Sequence, residues 1–208
     1  AILDLIRVPC RKELPLDMID ATKRLLLKAT AQPPQLWVVV ADQVETEWRK
    51  HQTKVSEDLR KEIEDCQAKL TRFSKVIQKV LSTTYLTHLT QFSLETHLAN
   101  LSKDVLDVSL KIAEDRNLEG RVLARVRACL APAKKGKGEV EDCVIIEHYL
   151  EVCQRLRDTG FSQSVIFVSS NVNDYGKPSS IRQPLDTQFS NLGIQFVTNL
   201  DWAMSLCR

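Results

Sequence analysis

Acidic side chains recur in this sequence at the ends of apolar runs, where a fold presents chemistry. After "LWVVV" the chain reads "ADQVETEW", setting Asp42, Glu45 and Glu47 just past the run. After "VIFV" it reads "SSNVNDYG", which delivers Asn171 and Asp174. Glu141 and Asp142 stand directly before the apolar stretch of "DCVIIEHYLEV". Carboxylates gathered at one rim repel each other unless cations neutralise them. As hard oxygen ligands they suit Mg²⁺ or Mn²⁺ rather than zinc. A metal held in that way readies a hydroxide nucleophile and stabilises charge developing on a phosphodiester. Each acid also has an ordinary role open to it: Asp142 as an N-cap, Glu47 as a first-turn acid favoured by the helix dipole, Asp174 as a turn residue.

A basic tract adjoins one of these acids. Arg121, Arg125, Arg127, Lys134, Lys135 and Lys137 follow one another with no acid between 121 and 137, and the tract runs on into Asp142. Cations beside an acidic metal site are what a phosphodiester substrate requires, and a solubilising loop would have the same composition. Other hydrolase patterns are missing. The sequence contains no G-x-S-x-G, its "GKG" lacks the spacing of a phosphate-binding loop, and His51, His88, His97 and His148 show no metal-ligand spacing. His148 beside Glu147 reads as structural.

The elements that would carry these residues follow from apolar spacing. "LPLDMIDATKRLLLKAT" is an amphipathic helix with a Pro suited to its first turn. "LWVVV" (36–40) is a short continuous apolar run, as in a strand covered on both faces. From Val44 to about Leu81 apolar residues step by threes and fours, predicting one long helix. Further helices are expected over "LTQFSLETHLANLSKDVLDVSLKIAEDR" and "LEGRVLARVRACL". "APAKKGKGEVE" (131–141) reads as a loop with no packed element, and the following helix closes at Gly160 as a C′ residue. "SVIFVS" and "IQFVT" are strands, flanking a polar stretch (169–184) and a short helix at "PLDTQFSNLG", and "LDWAMSLCR" is a final helix.

Strands that read as continuous apolar runs and alternate with helices predict a three-layer α/β/α fold with a small parallel sheet. In such sheets the positions just past the C-terminal strand ends line the crevice where sites form. Acids from three distant parts of the chain therefore converge on one edge. Only three strands are visible, which is few for this much helix, and "AILDLIRV" begins in mid-phrase, so a first strand is expected before residue 1.

At 208 residues and 43% hydrophobic content the chain suits one well-packed domain. No apolar run approaches the roughly 18 residues of a membrane span. Six cysteines scattered without a C-x-x-C pair read as reduced core thiols, which points to the cytosol. A net charge of +2 leaves any affinity for polyanions to a local patch.

Taken together these phrases resemble the PIN domain family. "VVVADQVETEW" is similar to the family's strand followed by V-x-x-E, with Glu47 at the acidic position. "VEDCVIIEHYLE" resembles its segment in which an Asp, here Asp142, opens an apolar helix. "VIFVSSNVNDYG" resembles its strand leading to Ser/Thr-x-Asn-x-x-Asp-Phe/Tyr, here Ser169, Asn171, Asp174 and Tyr175. "LGIQFVTNLDWAMSL" is similar to its last strand and helix. The helices between about 50 and 130 look like an enlarged insertion of the kind seen in larger PIN-like proteins.

The resemblance implies a metal-dependent nuclease, commonly an endoribonuclease, whose acids bind Mg²⁺ or Mn²⁺. Glu47, Asp142 and Asp174 would be the ligands, with Ser169 and Asn171 orienting that shell and Tyr175 packing beneath it. The family's opening strand ends in an Asp, and both are expected before residue 1. Asp4 comes too late in the pattern and lies on a helix rather than at a strand tip. The alternative is a non-catalytic PIN-like module that binds RNA or a protein partner, such as an inhibitor or complex subunit, through the basic tract and the long helix. That helix also leaves room for a homodimer.

Overall fold

The computed structural model describes residues 2–12, 14–83, 88–113, 115–134 and 140–207. Helix α1 (Asp4–Arg7) leads into the amphipathic α2 (Asp17–Ala29). Strand β1 (Val39–Ala41) then delivers the chain into α3 (Asp42–Leu81), a helix of 40 residues. Helix α4 (Leu94–Asp107) returns along α3 and feeds β2 (Leu110–Ile112). After α5 (Glu119–Arg127) and α6 (Val140–Asp158) come β3 (Val165–Val168) and the single turn α7 (Val172–Tyr175). A hairpin of β4 (Gly176–Lys177) and β5 (Ser180–Ile181), α8 (Leu185–Leu192), β6 (Ile194–Val197) and α9 (Leu200–Leu206) complete the described chain.

The α/β reading holds, with parallel pairing, but the sheet is divided. β1 pairs in parallel with β2, matching Val39 to Leu110 and Ala41 to Ile112. β3 pairs in parallel with β6 from Val165 opposite Ile194 to Val168 opposite Val197. Among the described residues no ladder joins these two pairs, and β4 with β5 forms a separate antiparallel one. The fold is mostly helical, with small parallel sheets in place of one continuous sheet.

Three local expectations change. Leu110–Ile112 lies inside a stretch read as helix, yet it is a strand. Its Leu-Lys-Ile alternation suits a pleat, and β1 offers its backbone a parallel partner. The "LWVVV" run is not covered on both faces: pairing starts at Val39, and Trp37 is 61% exposed. The loop at 131–141 has a packed entrance, because Ala131, Pro132 and Ala133 are buried. Gly160 does end α6 with a positive φ of 84°.

The core nearest the acids is aromatic. Phe167 of β3 meets Tyr175, Phe189, Phe196 and Tyr149 at ring-centroid distances of 5.2, 5.5, 5.7 and 5.8 Å. Tilted and edge-on pairs of this kind each add about 0.5–1.5 kcal/mol beyond the area they bury. Ile146, Leu150 and Leu185 fill the rest of this cluster, so α6 and α8 clamp the β3–β6 pair. A second cluster joins α1, α2 and α9 through Leu5, Met18, Leu25 and Met204. Ile6 of α1, Val55 and Leu59 of α3 and Leu98 of α4 form a third.

Of the cysteines, Cys143 and Cys153 are buried while Cys10, Cys66 and Cys129 are exposed, so only part of the set is core. No helix among the described residues is long and apolar enough to cross a membrane.

Candidate carboxylate site at the strand tips

The β3 strand ends by turning its polar residues back on themselves. Ser169 N–H still donates to Val197 O at 3.1 Å, continuing the ladder by one residue. The Ser169 hydroxyl then accepts the Asn171 N–H at 3.2 Å, and the Asn171 side-chain amide donates to Asp174 Oδ2 at 2.6 Å. These local bonds set the α7 turn, as short polar side chains commonly do. Gly176 closes it with a φ of 90°, and a Cβ there would stand 2.5 Å from Ser180 O and 2.8 Å from Arg182 N. Only glycine fits.

Asp174 is buried, 8% exposed, and its two oxygens differ. Oδ2 holds the Asn171 amide, whereas Oδ1 is fully buried. The Lys134 ammonium stands against Oδ1 in an ion pair. A cation therefore already answers this carboxylate, and it comes from the chain itself.

Asp142 approaches from the first turn of α6, half-buried. Tyr175 feels the charge of both acids. Its phenol is pushed well above the usual range, by burial first and then by Asp142, Tyr149, Asp174 and Cys143 in that order. Two acids from elements more than thirty residues apart in the chain thus act on one hydroxyl.

Glu47 sits on α3, half-buried, and forms no hydrogen bond or ion pair with a described residue. Its neighbour Glu45 turns elsewhere: Lys111 of β2 approaches it at 2.7 Å and Arg49 at 2.6 Å. Those two partners hold the Glu45 carboxyl below its ordinary value. Among the described residues no group of three or more His, Cys, Asp and Glu side chains stands at metal-holding distance. The structure brings Asp174 and Asp142 toward one tyrosine and leaves Glu47 outside any such cluster.

Tyr149, which the sequence did not single out, and Asp4, which it placed out of pattern on a helix, join the strand tips. Ala41 N–H at the end of β1 donates to the Tyr149 hydroxyl at 3.2 Å, while the Tyr149 ring packs on Phe167 of β3. Tyr149 falls seven residues after Asp142 on α6, on the same face, so one helix face carries both an acid and the link between the two strand pairs. Asp4 is the other. It is buried, and its Oδ2 accepts the Ser170 hydroxyl at 2.8 Å, beside the β3 tip. A heptad-spaced Tyr was legible in the sequence; the approach of Asp4, 166 residues from Ser170, was not.

The basic tract divides. Arg125 is 3% exposed and points inward: Nε donates to Glu147 Oε1 at 2.6 Å, Nη1 to Ala131 O at 2.5 Å and Nη2 to Gln188 Oε1 at 3.0 Å. Arg121 reaches Glu147 Oε2 at 2.8 Å and Glu151 Oε2 at 2.7 Å. Both guanidiniums are engaged in the fold, Arg127 is exposed, and Lys134 is engaged by Asp174. Lys135 and Lys137 lie outside the described residues. His148 is structural as expected: Nε2 accepts the Asp115 N–H at 2.9 Å, which assigns the ring proton to Nδ1, 2.7 Å from Val144 O.

A PIN domain family model matches residues 20–175, well over half of the 208. The chain belongs to the PIN domain family. The match takes in β1, the long helix, α6 and the β3 tip through Tyr175. Comparison with curated proteins and with solved structures gives no match. PIN domains are typically nucleases and typically bind divalent metals, so the family makes the strand-tip acids the part of this molecule to interrogate.

Proposed function

We propose that this PIN domain is a metal-dependent endoribonuclease that hydrolyses RNA phosphodiester bonds at the acids around the β3 tip. The single observation that carries this reading is Asp174: a buried carboxylate with one oxygen fixed by Asn171 and the other held against a cation, the Lys134 ammonium. The donor set suits Mg²⁺ or Mn²⁺, which take oxygen ligands, and Mg²⁺ is commonly held by only one or two carboxylates together with water and substrate phosphates. Asp174 and Asp142 would hold the ion, with Glu47 as the third acid. What a divalent ion supplies in such a site is a water of lowered pKa and compensation for phosphate charge.

The chain's own residues do the positioning. Ser169 and Asn171 hold the Asp174 carboxylate in one orientation, and the Tyr175 ring walls off its inner side. Arg127 and the lysines of the 134–137 segment meet the phosphates of a bound strand, and Lys134 leaves Asp174 for the substrate when the ion binds. Reduced, unpaired cysteines suit work in the cytosol.

A second reading follows from the same ion pair. If Lys134 neutralises Asp174 permanently, the domain binds RNA or a protein without cutting it. Incubating a mixed single-stranded and structured RNA pool with Mn²⁺, Mg²⁺ or EDTA separates the two. Metal-dependent cleavage lost in Asp142→Asn and in Asp174→Asn, with the fold retained by circular dichroism, is the expected result. RNA binding that survives EDTA and both substitutions, with no cleavage by the parent protein, sinks the nuclease reading and favours the module.

A further inference from the structure

The far half of α3 carries apolar side chains that the described fold does not bury. At 1.5 Å per residue the helix runs about 60 Å. Its buried residues, Val55 and Leu59, both lie in the first half, under α1 and α4. Gln67 is tied to the turn before α4, its Oε1 accepting the Leu89 N–H at 2.6 Å. From Ala68 to Leu81 no side chain is buried. Phe73 is 67% exposed, Val76 53% and Val80 72%.

Two rows run along this face. Leu70, Phe73, Ile77 and Val80 recur at steps of three, four and three, the spacing of a helix seam. One residue earlier in register, Lys69, Arg72, Val76 and Lys79 recur at the same steps and form the adjoining row. Lys75 adds a fourth cation, and the sequence contains no Asp or Glu from Cys66 to Leu94. An apolar seam exposed at Leu70, Phe73 and Val80 and half-buried at Ile77, flanked by cations that pair with no described acid, marks an interaction surface.

The charge pattern selects the occupant. Two copies pairing through these seams would set four cations against four. The acidic stretch upstream, from Glu57 to Asp65, offers a copy no seam, because Val55 and Leu59 are already covered. RNA would neutralise the cations but leave Val76, Val80 and Leu81 without an apolar partner, since aliphatic groups give bases no stacking face. A helix with an apolar row beside an acidic row satisfies both features at once.

We infer that the C-terminal half of α3, from Lys69 to Leu81, is the docking surface for an acidic amphipathic helix of a partner protein. This surface is separate from the strand-tip acids and does not depend on catalysis there.

The probe is a labelled three-heptad peptide with Leu at a and d and Glu at e and g, beside the same peptide carrying Lys at e and g, read by fluorescence anisotropy against the whole chain. The Glu peptide should bind, and the Lys peptide should bind about tenfold more weakly or not at all. Phe73→Ser with Val80→Ser should abolish binding, and Lys69→Glu with Arg72→Glu and Lys79→Glu should reverse the preference between the peptides. These positions are exposed, so an unchanged thermal midpoint checks each variant's fold. Equal binding of both peptides, or of neither, overturns the inference. So does photo-crosslinking from benzoylphenylalanine at Val76, in cells producing the protein, if it traps RNA or a second copy of this chain rather than an acidic segment of another protein.

Discussion

The Ser170 hydroxyl donates a 2.8 Å hydrogen bond to Asp4 Oδ2, tying the first helix to the tip of β3. Asp4 also has Arg7 within 3.6 Å, and it is largely shielded from water. The bond therefore has a charged acceptor in a shielded place, where such bonds are worth about 1.5–3 kcal/mol.

Asp4→Asn and Ser170→Ala should each lower unfolding stability by about 1–3 kcal/mol, and the double variant should lose less than their sum. Urea unfolding of the four proteins measures this directly. Full additivity would mean that the two side chains do not act as a pair.

Lys134 competes with any cation for Asp174. Lys134→Met keeps the aliphatic stem and removes the charge, so Mn²⁺ should bind this variant more tightly than the parent, by electron paramagnetic resonance titration of free Mn²⁺. Asp174→Asn should remove the gain. Identical Mn²⁺ affinity in the parent and Lys134→Met would show that the ammonium is not in the ion's way.

Arg125 and Arg127 are two residues apart and should behave as opposites. Arg125→Ala leaves the buried Glu147 with Arg121 alone, removes the donors to Ala131 O and Gln188 Oε1, and should cost about 3–5 kcal/mol. Arg127→Ala is an exposed change expected within about 0.5 kcal/mol. Thermal midpoints by calorimetry distinguish them. Filter binding to RNA then reads the charge effect of Arg127 alone, uncomplicated by unfolding.

Alkaline pH should destabilise the protein through its buried phenols. Tyr175 is held above its ordinary value by burial and by Asp142 and Asp174, and Tyr149 is raised by burial. An unfolded tyrosine ionises near about pH 10. Below that pH the stabilising contribution is fully present, and it is lost as pH rises further, because the unfolded chain releases a proton that the folded chain keeps. Each such tyrosine steepens the decline by up to about 1.4 kcal/mol per pH unit. Tyr175→Phe should flatten it, as read from urea midpoints between pH 9 and 11.

The sequence by itself determined the α/β class, the long helix after the first strand, the helix that it started at Asp142 and closed at Gly160, and the polar turn carrying Asp174. Each of these rests on local rules: apolar periodicity for the helices, β-branched runs for the strands, and Ser, Asn and Asp bonding to nearby backbone and side chains in the turn. Its phrases also resembled the PIN family, to which the chain belongs. Tertiary structure decided what those rules leave open. Leu110–Ile112 is a strand because β1 supplies its backbone partners, a non-local effect invisible to a helical neighbourhood. Arg121 and Arg125 looked like a phosphate-binding run, yet the charges of Glu147 and Glu151 draw them into the fold, since a guanidinium's direction depends on what lies across from it. Lys134 meets Asp174 and Ser170 meets Asp4 only because packed aromatic and apolar clusters bring together segments 40 and 166 residues apart, and no spacing along the chain encodes those contacts.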